Sequence, residues 1–165
     1  MLKIAFTGPE SSGKTTLSKR IAEILNGEWH EEYAREYLTN LNRAYKQKDL
    51  IEIAIKQNEK RVNCNSRFQI YDTEMLVIKI WNDFKFKKEN QQINDLLDQQ
   101  KIDHYFLCKP DIPYEDDPLR ENPDNRDELF EIYLNALNQK ELPFTIIQGT
   151  PMQRIEKVLE ILKAD

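Results

Sequence analysis

Residues 8–15 read GPESSGKT and match the spacing G-x-x-x-x-G-K-[ST] in full, with Gly8, Gly13, Lys14 and Thr15 at the required positions. No other stretch constrains the chain so strongly. A loop of this pattern works where it closes a strand and opens a helix, because the helix start aims several backbone N–H groups at one point. That context is met here. LKIAFT (2–7) is a short apolar run of the kind found in buried parallel strands. Leu17, Ile21, Ile24 and Leu25 then recur at helical spacing up to an Asn26-Gly27 stop. The loop is therefore read as a phosphate cradle, built from Gly8, Pro9, Glu10, Ser11, Ser12 and Gly13, with Lys14 reaching the outer phosphates of ATP. Thr15 is the expected Mg²⁺ ligand, and Thr16 follows it in the first turn of the helix.

Four more strand patterns follow: EWHEEY (28–33), RFQIYD (67–72), HYFLCK (104–109) and FTIIQG (144–149). Helical patterns lie between them, over 34–62 with a break near 40–42, over 74–86, over 90–101 and around 129–137. The last helix opens at Pro151, which suits a first turn because its missing N–H would have no partner there. The alternation predicts an α/β fold with a five-stranded parallel sheet flanked by helices, and with ligands at the carboxyl ends of the strands. With the cradle, this is a P-loop NTPase fold, read as one domain over 1–165.

Composition narrows the partners. The net charge of −5 leaves no basic excess for a nucleic acid. No apolar run approaches the ~20 residues of a membrane span, and no leader pattern precedes the first strand. A cytoplasmic protein with a small-molecule substrate is expected. Cys64 and Cys108 are far apart and read as reduced thiols; with only His30 and His104 beside them, they make no metal site.

The remaining candidates sit just after the strand ends. Asp72 is positioned to hold Mg²⁺, directly or through water, although Asp72 or Thr73 is equally placed to cap the next helix. HEEYAREYL (30–38) brings Glu32, Tyr33 and Arg35 to the expected acceptor side, and both Glu32 and Asp72 remain candidates for the proton acceptor. The segment 110–126, PDIPYEDDPLRENPDNR, holds four of the seven prolines, which excludes a helix or a central strand. A loop this long points to function, here a lid whose Arg120 and Arg126 swing onto the transferring phosphoryl group. The alternative is that both arginines pair with Asp116, Asp117 and Asp124. The guanine-reading N-K-x-D element is absent, and Thr73 stands where AAA-type motors place a glutamate after the strand-end aspartate. The chain is also short for the helical lid domain of such motors, so a small kinase is favoured.

GPESSGKTTL, EYAREYL, YDTE, IPYEDDPLR and GTPMQR occur in the order and spacing of the ribosylnicotinamide kinase domain of NadR-type proteins. The chain resembles that domain over nearly its whole length. The resemblance implies ATP-dependent phosphorylation of the 5′-hydroxyl of nicotinamide riboside, with Mg²⁺, to give nicotinamide mononucleotide. It places Gly8 to Thr16 at the ATP phosphates and Glu32, Arg35 and Asp72 near the acceptor. Tyr114 falls at the nicotinamide or ribose, or else in lid packing. Arg120 matches the lid arginine, and the 149–154 loop, with Thr150 and Pro151, matches the adenine side. Glu74 and Pro118 stand where that family more often has Asp and Gly. Adenylyl transfer to form NAD, carried by a further domain in the multidomain relatives, is not expected. Two other readings stay open: a kinase for another nucleoside or small metabolite, and a nucleotide-binding regulatory or assembly ATPase.

Overall fold

Successive residues of a strand point to opposite faces of its sheet, and the central strands here are apolar on both. In the computed structural model, which describes residues 1–59 and 66–164, β1 (Leu2–Thr7) is the middle strand. Ile4 and Phe6 join Ile70, Phe106, Cys108 and Ile147 in a core under α1 (Lys14–Leu25) and α7 (Pro151–Ala164). Ala5 joins Tyr71, Tyr105 and Leu107 in a second core on the other face. That face is covered by α3 (Gln47–Glu59), α4 (Met75–Phe86), α5 (Gln91–Gln99) and α6 (Arg126–Gln139).

The other strands are β2 (Glu28–His30), β3 (Phe68–Tyr71), β4 (His104–Cys108) and β5 (Phe144–Ile147). All neighbours are parallel, in the order β2-β3-β1-β4-β5, with Ile4 level with Ile70 on one side and with His104 on the other. This is the five-stranded parallel sheet that the alternation predicts. The order has a consequence for function: the loop after β1 lies between the ends of β3 and β4. Among the described residues no helix is long and apolar enough to cross a membrane. Cys64 and positions 60–62 of the expected long helix lie outside the described residues.

Local departures have local causes. The second strand stops at His30 rather than Tyr33, and α2 (Tyr33–Thr39) begins directly after an extended Glu32. The stop at 26–27 divides its work: Asn26 takes the left-handed conformation at φ 49°, whereas Gly27 is needed for space, since a Cβ there would lie 2.6 Å from Ile70 Cδ1. Neither Asp72 nor Thr73 caps α4. Glu74 does, its carboxylate accepting from Leu76 N at 2.6 Å and Val77 N at 3.3 Å, because the chain is still extended at that residue.

The break between α2 and α3 runs over 40–46 rather than 40–42, and Asp49 explains where α3 starts. Its buried carboxylate reaches back to Lys46 N at 2.7 Å, one half of a capping box. It also takes both guanidinium nitrogens of Arg43, at 2.7 and 2.8 Å, and the Tyr37 hydroxyl at 2.9 Å. These bonds, the Arg43 pair foremost, hold its carboxyl well below the usual aspartate range. Its contribution is therefore complete at neutral pH and is lost as pH falls below the ordinary aspartate value of 3.8. Asp49→Ala is expected to cost about 2 kcal/mol in urea unfolding at pH 7, with the gap to wild type closing as the pH is lowered below that value.

Candidate functional site

The cradle is held open by backbone conformations that few residues tolerate. Gly8 has φ 128°, and a Cβ there would meet Cys108 O at 2.7 Å, so the loop leaves β1 pressed against the end of β4. Ser11 and Gly13 are left-handed, at φ 52° and 83°, and Gly13 opens α1. Lys14 Nζ donates to Gly8 O at 3.0 Å and to Pro9 O at 2.6 Å, while Ser12 Oγ donates to Pro9 O at 2.7 Å. The ammonium is thus folded over its own loop, where an anion entering the cradle would draw it off those carbonyls.

Two carboxylates border the loop. Asp72 is buried at the end of β3, close to Thr15 and Lys14. Burial raises its pKa, opposed by the Thr15 hydroxyl and the Lys14 charge. Its Oδ1 is buried without a hydrogen-bond partner. A buried carboxylate oxygen left unpaired beside the Thr15 hydroxyl fits a hydrated divalent cation. Among the described residues no group of three or more His, Cys, Asp or Glu gathers at one point, so such an ion would depend on phosphate oxygens and water for most of its ligands. Glu32 is raised as well, first by burial and then by the Asp72 charge, against the pull of Lys14, Arg35 and the Thr73 hydroxyl.

The connection 109–125 lies against the loop. Glu115 N donates to Ser11 Oγ at 2.9 Å, and Arg120 Nη1 reaches the same hydroxyl at 3.4 Å and Glu115 O. Arg126 Nη1 donates to Ser11 O at 2.9 Å and Ile112 O at 3.1 Å. Both arginines therefore serve backbone carbonyls and Ser11 rather than the neighbouring aspartates. Asp117 pairs instead with Arg35, at 3.0 Å.

One cleft of about 250 Å³ gathers most of the expected residues. Every residue from Gly8 to Thr16 lines it, together with Glu32, Arg35 and Arg120. Its far wall is apolar and aromatic: Leu38, Val77, Ile80, Trp81, Phe84 and Tyr133. Asp72 stands behind Thr15 and outside the lining. Tyr33 packs with Tyr37, its N–H held by Gln57 Oε1 at 2.6 Å. Tyr114 packs under the Arg126 guanidinium, 5.5 Å from ring centre to carbon, and does not line the cleft. Thr150 and Pro151 also lie outside the lining. Thr150 forms a capping box with Gln153, at 2.9 and 3.3 Å, and Gly149 N donates to Asp111 at 2.7 Å.

Sequence reasoning missed the apolar wall, and it placed Arg154 only within the 149–154 loop, without its bonds to the cradle. The wall carries a sequence signal only in hindsight, as Trp81 and Phe84 one turn apart in α4. Arg154 is buried, and its guanidinium donates to Ser12 O at 2.8 Å, Lys109 O at 2.9 Å, Gly149 O at 3.0 Å and the Asp111 carboxylate. One side chain thus ties the cradle to the ends of β4 and β5. Cys108, buried beside the loop, has its thiol pushed up to about 11 by burial and is chemically quiet at neutral pH.

A family model described as an AAA domain matches residues 3–154. The chain belongs to that family. No curated protein matches it. Among solved structures, NadR protein in complex with NAD and AMP-PNP superposes with a TM-score of 0.74 at 21% identity, covering 96% of this chain and 49% of that one. NadR protein in complex with NR gives 0.73 at 21% identity, over 90% and 44%. The chain thus spans about half the length of these NadR proteins. Deoxyadenosine kinase from M. mycoides with bound dATP gives 0.65 at 18% identity over 99% of this chain and 100% of its own. These likenesses establish the P-loop α/β fold of this AAA-domain chain. The glutamate of AAA-type motors remains without a counterpart here. Thr73 occupies its place, and Glu74 is fully buried, accepting from Thr7 Oγ1 at 2.9 Å as well as from α4.

Two variants probe the site without an assay for turnover. Arg154→Ala is expected to cost about 3 kcal/mol of stability, because it strips three carbonyls and a carboxylate of their donor. Glu32→Gln is expected to raise Tm by about 2–4 °C at pH 8, because a carboxylate whose pKa is raised costs stability once ionised. That gain should vanish as pH falls to the ordinary glutamate value of 4.5, where the wild-type side chain is itself protonated.

Proposed function

We propose that the chain is an ATP-dependent kinase that transfers the γ-phosphoryl group to the 5′-hydroxyl of nicotinamide riboside, giving nicotinamide mononucleotide in NAD salvage in the cytoplasm. The single observation carrying this reading is that one cleft joins a complete phosphate cradle to an apolar, aromatic chamber, with Glu32 at their border. A motor or switch needs the cradle alone. A kinase needs a second, organic half to hold its acceptor.

In this reading the Gly8–Thr16 backbone and Lys14 hold the triphosphate, and the 149–151 turn beside Arg154 flanks the adenine. Thr15 and Asp72 would hold Mg²⁺, which would supply positive charge to neutralise the triphosphate. The riboside lies along the Trp81–Phe84 wall with its hydroxyl at Glu32, which orients it and takes its proton. Arg35 and Tyr33 support that side. The 110–126 segment acts as a lid: Arg120 and Arg126, already resting on Ser11, turn onto the phosphoryl group as charge develops. Tyr114 stiffens the lid by packing on Arg126. Closure of the lid excludes water and suppresses futile hydrolysis. NadR bound to NR supports the choice of acceptor, and full-length coverage of deoxyadenosine kinase supports a second reading, a deoxynucleoside acceptor.

An ADP-release assay over a panel of ribosides and deoxynucleosides separates these. Strong stimulation by nicotinamide riboside is expected. Stimulation by a deoxynucleoside alone would transfer the assignment to the second reading, and slow hydrolysis indifferent to every acceptor would point to a regulatory or assembly ATPase. Lys14→Ala should lower kcat by about 100-fold or more with the fold retained. Near-normal transfer by that variant would refute the site.

A further inference from the structure

The third residue of the cradle, Glu10, carries a carboxylate that phosphate binding does not call for. Glu10 lines the cleft in which a triphosphate would sit, where a negative charge opposes the ligand. Its two oxygens are instead engaged by consecutive backbone amides of the 109–125 connection: Glu10 Oε2 accepts from Glu121 N at 3.2 Å, and Oε1 accepts from Asn122 N. A carboxylate gripping two adjacent N–H groups is a strong, directional hold on a loop that has no helix or strand of its own.

The same lid residue is held from the opposite side. The Glu121 carboxylate accepts from Lys85 Nζ at 2.9 Å and from the Tyr45 hydroxyl, which in turn accepts from Trp81 Nε1 at 2.9 Å. Trp81 and Lys85 belong to α4 and line the cleft. Glu121 is thus fixed by its backbone to the cradle and by its side chain to the acceptor wall. Arg120, its neighbour, is the arginine that reaches Ser11.

We propose that Glu10 and Glu121 are positioning residues that latch the lid to the phosphate cradle and to the acceptor wall, setting the pose of Arg120 over the cradle. The latch rests on the kinase reading for its effect on turnover, but its existence does not. Neither residue touches a reacting atom. Because Tyr45 links the latch to Trp81, a ligand pressed on the aromatic wall would stiffen the lid through bonds already in place.

Amide hydrogen exchange on the nucleotide-free protein tests the latch with no acceptor present. In Glu10→Ala, the Glu121 and Asn122 amides are expected to exchange at least about 10-fold faster, with Tm nearly unchanged. Glu10→Gln, which keeps an acceptor oxygen, should restore much of the protection. Glu121→Ala should speed the same amides, and the double variant should add little to either single one. Unchanged exchange in Glu10→Ala, or fully additive effects in the double variant, would overturn the proposal. In the turnover assay, both single variants are expected to lower acceptor-dependent kcat about 10-fold while shifting the KM for ATP less than about 3-fold. A purely structural defect would instead lower Tm, and a fall in kcat without faster exchange counts against the latch. Failure of the riboside panel would leave the exchange result standing, so the two readings fail separately.

Discussion

Three chain segments converge on the buried guanidinium of Arg154, and the site depends on that convergence. Ser12 O belongs to the cradle, Lys109 O to the end of β4 and Gly149 O to the end of β5. Buried carbonyls need donors, and a planar group with several N–H vectors satisfies three of them at once. The price of such a joint is burying a cation, which the Asp111 carboxylate offsets. Gly8, pressed on Cys108 O, makes the complementary contact from the other side of the loop. Together they set the cradle against the β4 side of the sheet before any ligand arrives.

From that anchored loop the two halves of the cleft follow by topology. With β1 central, the end of β3 delivers Asp72 behind Thr15, and the end of β4 releases the 109–125 connection against the cradle. Much of the apolar wall comes from α4, whose start is fixed by Glu74. That carboxylate is buried among Thr7, Leu76, Val77 and Gln100, so it orients a helix and takes no part in the cleft. The place of Glu74 in the sequence is thus explained by capping.

The charges around the cradle are held at some cost in stability. Glu32 and Asp72 are both raised by burial, Asp72 has an oxygen without a partner, and Lys14, Arg120 and Arg126 donate to backbone carbonyls. Each of these groups would find a better partner in a bound phosphate, cation or hydroxyl. Sites that trade stability for ligand readiness commonly look like this. Asp49, by contrast, lies outside the cleft lining, paired with Arg43, Tyr37 and the Lys46 amide where α3 starts.

What the sequence by itself determined is whatever depends on neighbours along the chain. The cradle is eight contiguous residues whose conformation is local, and the strands are apolar runs whose period is visible without partners. Asp72 and Glu32 were legible because both sit at strand ends, where a parallel sheet gathers its ligands. The tertiary structure alone decided the rest. Arg154 reads as a polar residue in a terminal helix until the sheet order turns it onto Ser12, 142 positions away. Trp81 and Phe84 are no more than part of a helical pattern over 74–86 until the fold sets α4 along the cleft, and Glu10 reads as cradle until Glu121 and Asn122 come within its reach. Those contacts join residues far apart in the chain. Their geometry follows from strand order and helix placement, which no local pattern encodes.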